Sequence, residues 1–432
     1  MRIVPRSVVV VVLSAVGAVC SPPSPARAAD PVPSGDPRDR LLAERAVRVG
    51  RNTVARHLTP EGVLAYQHRP DATPAQLSAD AVKMADTAIW TGCYAASLAC
   101  RWHVTREPEA LALCKRVAAG MDLLSRATGV EGCISRSVGR PIPGEDPGRE
   151  TRASPLGDGL CYRGDPSRDS LTGLVLGWDF LARFCDDPEV HAVAVRNLGA
   201  IARRLYAGKM SIRDVDGKVT TYGELSAKSA LVFQNGMYSA IGLSAMLAAL
   251  IWDKGDDLLR AWKKLDKDGW QDALDAQYLW LPAKVRSASN MNMTQMALTV
   301  ICVEDLGKPK KLALSTMREF RRFTRGRQNG GYLALYLMSG NGLYRDEVRE
   351  ELRQTLTDMP PYERGWADTE VVKRFDLVPI ARRQVVDWAW KVESISEQLI
   401  TSASRPDPDM TFSRADWLFA YWLARGAGEL AP

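Results

Sequence analysis

The chain has 432 residues, is 46% hydrophobic and 25% charged, and carries a net charge of +6 at neutral pH. This is the composition of an ordinary globular protein. Lys and Arg alternate with Asp and Glu, and no recognition module for DNA or RNA is present, so a nucleic-acid partner is not expected.

Residues 1–28 read as an export signal. Met1-Arg2 and Arg6 supply positive charge, Val8 to Val19 is an apolar run, and Ala26-Arg27-Ala28 fits a small-x-small cleavage site. The apolar run is short for a stable membrane span. Val19 fits poorly the small residue that lipid attachment at Cys20 prefers. The expected product is an exported protein, periplasmic or extracellular. Residues 29–36 are Pro-rich and read as a flexible segment, and 37–432 as one domain.

Leu41 to His57 has helical spacing. A helix after Asp80 carries Asp86 to Ala96 and is apolar nearly all round, the pattern of a fully buried helix. Glu107 to Ala127 is amphipathic. The alternation then continues. Asp169 to Cys185, Ser226 to Trp252, Asn290 to Leu306 and Gly330 to Met338 are of the buried type. Pro188 to Ala207, Asp256 to Tyr278, Pro309 to Arg325 and Tyr344 to Met359 are amphipathic or charged. Val385 to Leu399 adds a helix, and Ser413 to Arg425 closes the chain with another apolar one. Buried helices alternating with half-exposed ones satisfy burial if the first set forms an inner ring that the second wraps. The expected fold is therefore all-α, an (α/α)6 toroid. An open solenoid is the alternative, disfavoured by repeats of irregular length and an apolar final helix. The one strand signal is a β-hairpin over 211–223, turning at Asp216-Gly217. Val138 to Gly159, rich in Pro, Gly and charge, reads as a surface loop.

Cys93, Cys100, Cys114 and Cys185 lie in apolar helical patterns and read as small buried hydrophobes. Cys133 and Cys161 sit in loops and are the pair best placed for a bridge. No Cys-x-x-Cys spacing occurs, and His57, His68, His103 and His191 are scattered, His191 reading as solvated on an outer helix. No metal, no cofactor and no Ser-His-Asp triad is expected.

In a toroid, consecutive inner helices run the same way, so their N-termini and the loops entering them share one mouth, where free N–H groups create a positive field. The stretch Arg163 to Ser170 concentrates charge there. Asp169, Asp86 and Asp165 are the candidate acids and bases. Arg136, Arg163 and Arg168 would hold an anionic substituent, and Trp90, Tyr222, Asn235, Tyr238 and Asn290 would contact sugar rings and hydroxyls. Each has a structural alternative. Asp at a helix start is a common N-cap, Trp commonly fills a core, and Ser413 with Asp416 has the form of a capping box. Asp165 and Asp169, however, cannot both cap one helix.

Four motifs carry a resemblance: Asp86-x-x-x-Trp90-Thr91-Gly92, Arg163-Gly164-Asp165-x-Ser167-Arg168-Asp169, Asp214-x-Asp216-Gly217-x-x-x-Thr221-x-Gly223 and Asp416-Trp417-Leu418-x-x-Tyr421-Trp422-x-x-Arg425. From about residue 80 to 426 the chain resembles exported bacterial proteins of the six-hairpin glycosidase-like class, whose nearest-looking members have no defined activity. More distantly it is similar to unsaturated glucuronyl hydrolases. The resemblance implies the toroid and a glycan substrate, and by position it matches Asp86 and Asp169 to the inner-helix aspartates that do acid/base work. The expected function is glycoside hydrolysis of an acidic glycan. A lyase or epimerase with Tyr222 or Tyr238 as base, and a non-catalytic glycan-binding or envelope protein, are the alternatives.

Overall fold

The computed structural model describes residues 36–226, 236–275, 288–304, 307–359, 363–364, 366–367, 384–385 and 408–431. The predicted signal peptide, Asn235 and all of the expected helix Val385–Leu399 except Val385 lie outside them.

The described residues are mostly helical, as an all-α chain predicts. In chain order the elements are α1 (Pro37–His57), β1 (Gln67–His68), α2 (Pro74–Lys83), α3 (Thr87–Thr105), α4 (Pro108–Arg126), β2 (Ser137–Gly139), β3 (Thr151–Ala153), β4 (Cys161–Arg163), α5 (Arg168–Phe184), α6 (Pro188–Ala207), β5 (Ser211–Arg213) and β6 (Val219–Glu224). Then come α7 (Gly236–Asp253), α8 (Asp256–Lys267), α9 (Ala288–Val303), α10 (Gly307–Thr324), α11 (Gly330–Met338), α12 (Arg345–Asp358), β7 (Trp366–Ala367), β8 (Gln384–Val385), β9 (Thr411–Phe412) and α13 (Ala415–Gly426).

The two expected helix types are both present. α3 is buried without interruption from Thr87 to Cys100, and α5 from Ser170 to Ala182. By contrast α6 and α8 bury one face each, with Val190, Ala194 and Leu198 inward on the first and Leu258, Ala261 and Leu265 on the second. The buried helices pack on one another: α3 on α5 and α13, α5 on α7 and α9, α7 on α9, α9 on α11, and α11 on α13. Each amphipathic helix packs on a buried one, α4 on α3, α6 on α5 and α7, α10 on α9, and α12 on α11. Among the described residues α7 alone is long and apolar enough to cross a membrane, and 72% of that stretch is buried inside the protein as core.

The tightest packing is between α3 and α5. A Cβ on Gly173 would lie 2.5 Å from the Ile89 carbonyl oxygen, and one on Gly177 would lie 2.7 Å from that of Gly92. The two backbones therefore touch, and glycine is what permits the approach. Ascending positions on α3 meet ascending positions on α5, so the helices are parallel.

Three sequence expectations need correction here. The helix after Asp80 is two helices, broken at Met84 to Asp86. The break frees the carbonyls of Lys83 and Ala85 for side-chain donors, described below. The stretch Val138 to Gly159 is no plain loop: β2 and β3 both pair antiparallel with β4, Val138 and Arg152 facing Tyr162 in register. This sheet is fixed to α2, with Ser137 Oγ donating to Val82 O at 2.7 Å and Arg140 N to Ser78 Oγ at 2.8 Å. Its strands are three residues long, too short for alternation to be visible. Finally, Cys133 and Cys161 are free thiols. The expected hairpin is present as β5 and β6, with Gly217 at φ 78° in its turn.

α1 joins the chain ends. Asp39, buried on α1, accepts from Arg353 Nε at 2.9 Å and Nη2 at 3.2 Å on α12, and also from Ala431 N at 3.1 Å. At its other end the His57 ring lies 4.4 Å from that of His68, and its Nδ1 bonds Ala65 O at 3.0 Å. Burial, with the neighbouring His68, pushes the His57 imidazole down to about 3 against a weak opposing effect of the Ala65 carbonyl. Unfolded chains protonate His near 6.5. Stability is thus complete above that pH and falls as pH drops toward 3, by up to about 1.4 kcal/mol per pH unit. A His57→Gln variant should show a flatter dependence of the urea midpoint on pH between 6 and 4; an unchanged slope would place the acid sensitivity elsewhere.

Candidate functional site

The charged stretch predicted to matter is built around the start of α5. Ser167 is the N-cap of this helix: its Oγ accepts from Ser170 N at 3.4 Å while its own N–H donates to Ser170 Oγ at 3.4 Å. This reciprocal cap satisfies two donors at once. Neither Asp165 nor Asp169 therefore caps α5. Asp169 sits in its first turn, partly exposed, where an acidic group is favoured by the helix field.

Asp86 holds the N-cap position of α3, with φ −114° and ψ 15°, and makes no side-chain cap hydrogen bond. A backbone group replaces it, the Ala88 N–H donating to Arg136 O at 2.8 Å. Because α3 and α5 run parallel with Ile89 against Gly173, Asp86 and Asp169 stand at the same level, one turn nearer the N-termini. Both are partly exposed.

Asp165 differs. It has φ 51°, in the left-handed region, and its carboxylate Oδ1 accepts from Thr221 N on β6 at 2.7 Å. Its own N–H donates to Asp214 Oδ2 at 3.1 Å. Asp165 is a brace between the loop and the hairpin, which sets it apart from Asp86 and Asp169.

Two of the three arginines also brace the backbone. Arg136, buried, donates through Nε to Asp165 O at 2.6 Å and through Nη1 to Ala85 O at 3.4 Å. Arg163 donates through Nη1 to Lys83 O at 2.7 Å, with Glu150 at 3.6 Å. Together they take up the carbonyls exposed by the break before α3. Arg168 is less occupied. Among the described residues it makes a long bond, Nη1 donating to Glu224 O at 3.4 Å; its Nε is buried without a partner, and its guanidinium lies 4.7 Å above the Tyr238 ring.

The remaining candidates divide. Tyr222 is 54% exposed on β6, with the Arg136 guanidinium 6.0 Å from its ring. Asn290 is in the first turn of α9, partly buried, its carbonyl accepting from Thr294 Oγ1 at 2.7 Å. Trp90 is 0% exposed and is core, so it has no face to offer a sugar. Asp416 is buried with Arg414 at 3.6 Å and accepts from Trp417 N, while Ser413 accepts from Ala415 N; the expected capping box does not form because Arg414, at φ 56°, takes the N-cap position. His191 packs its ring edge-on against Trp252 at 5.5 Å rather than standing in solvent.

Sequence reasoning passed over Arg152 and gave Asp214 a place in a motif but no role at the site. Arg152 Nη2 lies 2.9 Å from Asp214 Oδ2, and this pair ties the three-stranded sheet to the hairpin. Gly164 makes room for the pair: a Cβ there would lie 3.0 Å from Asp214 Oδ2 and 3.1 Å from Arg152 Cζ. Among the described residues no cluster of three or more His, Cys, Asp and Glu is placed to hold a metal ion. Comparison with family models, curated proteins and solved structures gave no match.

Proposed function

We propose that the chain is an exported carbohydrate-active enzyme of the six-hairpin glycosidase-like class, a glycoside hydrolase acting on an acidic glycan. The packing of α3 on α5, α5 on α7, α7 on α9, α9 on α11, α11 on α13 and α13 on α3 supports a closed (α/α)6 toroid. In that fold the N-termini of α3 and α5 open on one mouth.

The observation that carries the reaction is the pair Asp86 and Asp169. They are level, on parallel helices whose backbones touch, and neither caps its own helix. Helices this close have axes at or below the usual separation of about 8–10 Å. Paired glycosidase carboxyls work at about 5–10 Å. Asp169 is assigned the general acid/base role and Asp86 the second carboxylate. Arg168, with donors left over, is the group for a substrate carboxylate, and exposed Tyr222 is the ring for a sugar face. Asp165, Arg136 and Arg163 hold the loop that presents them.

A lyase reading has one observation in its favour: Tyr238 lies directly under Arg168, so a phenol and a carboxylate-binding cation are adjacent. Incubation with a panel of uronic acid oligosaccharides separates the two. A hydrolase releases reducing ends without new ultraviolet absorbance, whereas a lyase generates an absorbing unsaturated uronic acid. Binding of an oligosaccharide with neither product would replace both with a glycan-binding protein.

A further inference from the structure

Cys114 lies on the same face of α4 as Met121, which reaches α5, and Cys185 is the C-cap of α5; both are buried and are free thiols in this structure. α4 returns antiparallel to α3 and hence to α5. The register between α4 and α5 is fixed by Met121, whose Cε would lie 2.8 Å from a Cβ on Gly177. Two turns back along α4 from Met121 is Cys114, and a little over two turns on along α5 from Gly177 is Cys185. At 1.5 Å per residue both paths cover roughly 10–12 Å, so they arrive at one level. Lys115 and Asp187 close a 2.8 Å ion pair across the same gap. The Cys114 thiol is hydrogen-bonded to the Cys185 sulfur, a contact that raises the titration of the first and lowers that of the second.

We propose that Cys114 and Cys185 form a disulfide when the folding chain meets a disulfide oxidant. The Cys185 thiolate, the more easily formed, attacks one oxidant sulfur and expels a thiolate. Cys114, deprotonated in turn, attacks Cys185 Sγ and expels the second. One S–S bond forms and one breaks; two electrons and two protons pass from the cysteines to the oxidant, which leaves as two thiols. That such an oxidant is met in the cell rests on the export reading. The pairing itself rests on the geometry.

The test refolds the reduced full chain in a mixture of reduced and oxidised glutathione, blocks remaining thiols with N-ethylmaleimide, and maps the digest by mass spectrometry. The expected result is one linked peptide pair carrying Cys114 and Cys185. A reductant should then lower the melting temperature of the parent and leave that of the Cys114→Ala/Cys185→Ala variant unchanged. Alkylation of both cysteines, or linkage of Cys114 to Cys100 instead, overturns the proposal. Where the cell keeps the chain tests export separately: full-length chain recovered only inside the cytoplasm, with the link forming on refolding, removes the export reading and supports the pairing.

Discussion

Replacing Asp169 by Asn is expected to lower turnover of the acidic oligosaccharide by about 10²–10⁴-fold, the range that general acid–base catalysis contributes, with little change in the urea midpoint. The substitution keeps the shape of the side chain and removes its charge and its proton-transfer capacity. Stability is spared because the helix cap is Ser167, which is untouched. Asp86→Asn should act in the same way, since the Ala88 N–H at the start of α3 is served by Arg136 O and the Asp86 carboxylate makes no cap bond. The double variant should be little worse than either single one, because two groups serving one transition state are not additive. Asp165→Asn is the contrast: losing the charge weakens the bond from Thr221 N and the contact with Arg136 Nη2, 4.0 Å from Oδ2, so its main effect should be on unfolding. If Asp165→Asn removes turnover at unchanged stability while Asp169→Asn leaves turnover intact, the acid pair has been assigned to the wrong residues.

Much of this arrangement was legible in the sequence, and the parts that were not have definite physical causes. α6 and α11 begin and end where periodicity places them, Pro188–Ala207 and Gly330–Met338, because both carry clear local stop and start signals, Asp187-Pro188 and Asn329-Gly330. The alternation of all-round apolar and one-sided helices was equally visible, since burial on every side leaves no polar stripe. What periodicity cannot register is a contact between backbones. Gly92, Gly173 and Gly177 are silent in any hydrophobicity pattern, yet they set the distance between α3 and α5. The break at Met84 to Asp86 was hidden for a related reason: its stability comes from Arg136 and Arg163, guanidiniums distant in sequence that bond the carbonyls the break exposes. The same holds for Asp165. Its charge was conspicuous in the sequence, but its partner is a backbone N–H in a hairpin more than fifty residues away, so charge density identified the right loop and assigned one of its acids the wrong task. Cys114 and Cys185 read as isolated apolar residues because each was judged on its own helix.

Gly173→Ala is expected to destabilise the protein by about 3 kcal/mol or more, at the upper end of what overpacking costs. The added methyl group would sit 2.5 Å from the Ile89 carbonyl oxygen and 2.8 Å from its carbon. Those atoms are backbone, and no rotamer change relieves the clash, so α3 and α5 must separate. Ala is the better helix former by about 1 kcal/mol, which makes the sign of the result informative. Gly50→Ala on α1 supplies the control. Nothing lies within 4 Å of a Cβ there, so the same substitution should stabilise by about 0.5–1 kcal/mol. Urea titrations with unchanged m-values would establish that stability alone has moved. The separation forced at Gly173 also carries Asp86 away from Asp169, since each stands one turn from the point of contact. Turnover per folded molecule should therefore fall as well, through kcat more than KM. A Gly173→Ala protein of parental stability would mean that α3 and α5 are not in backbone contact, and the level acid pair would lose its foundation with them.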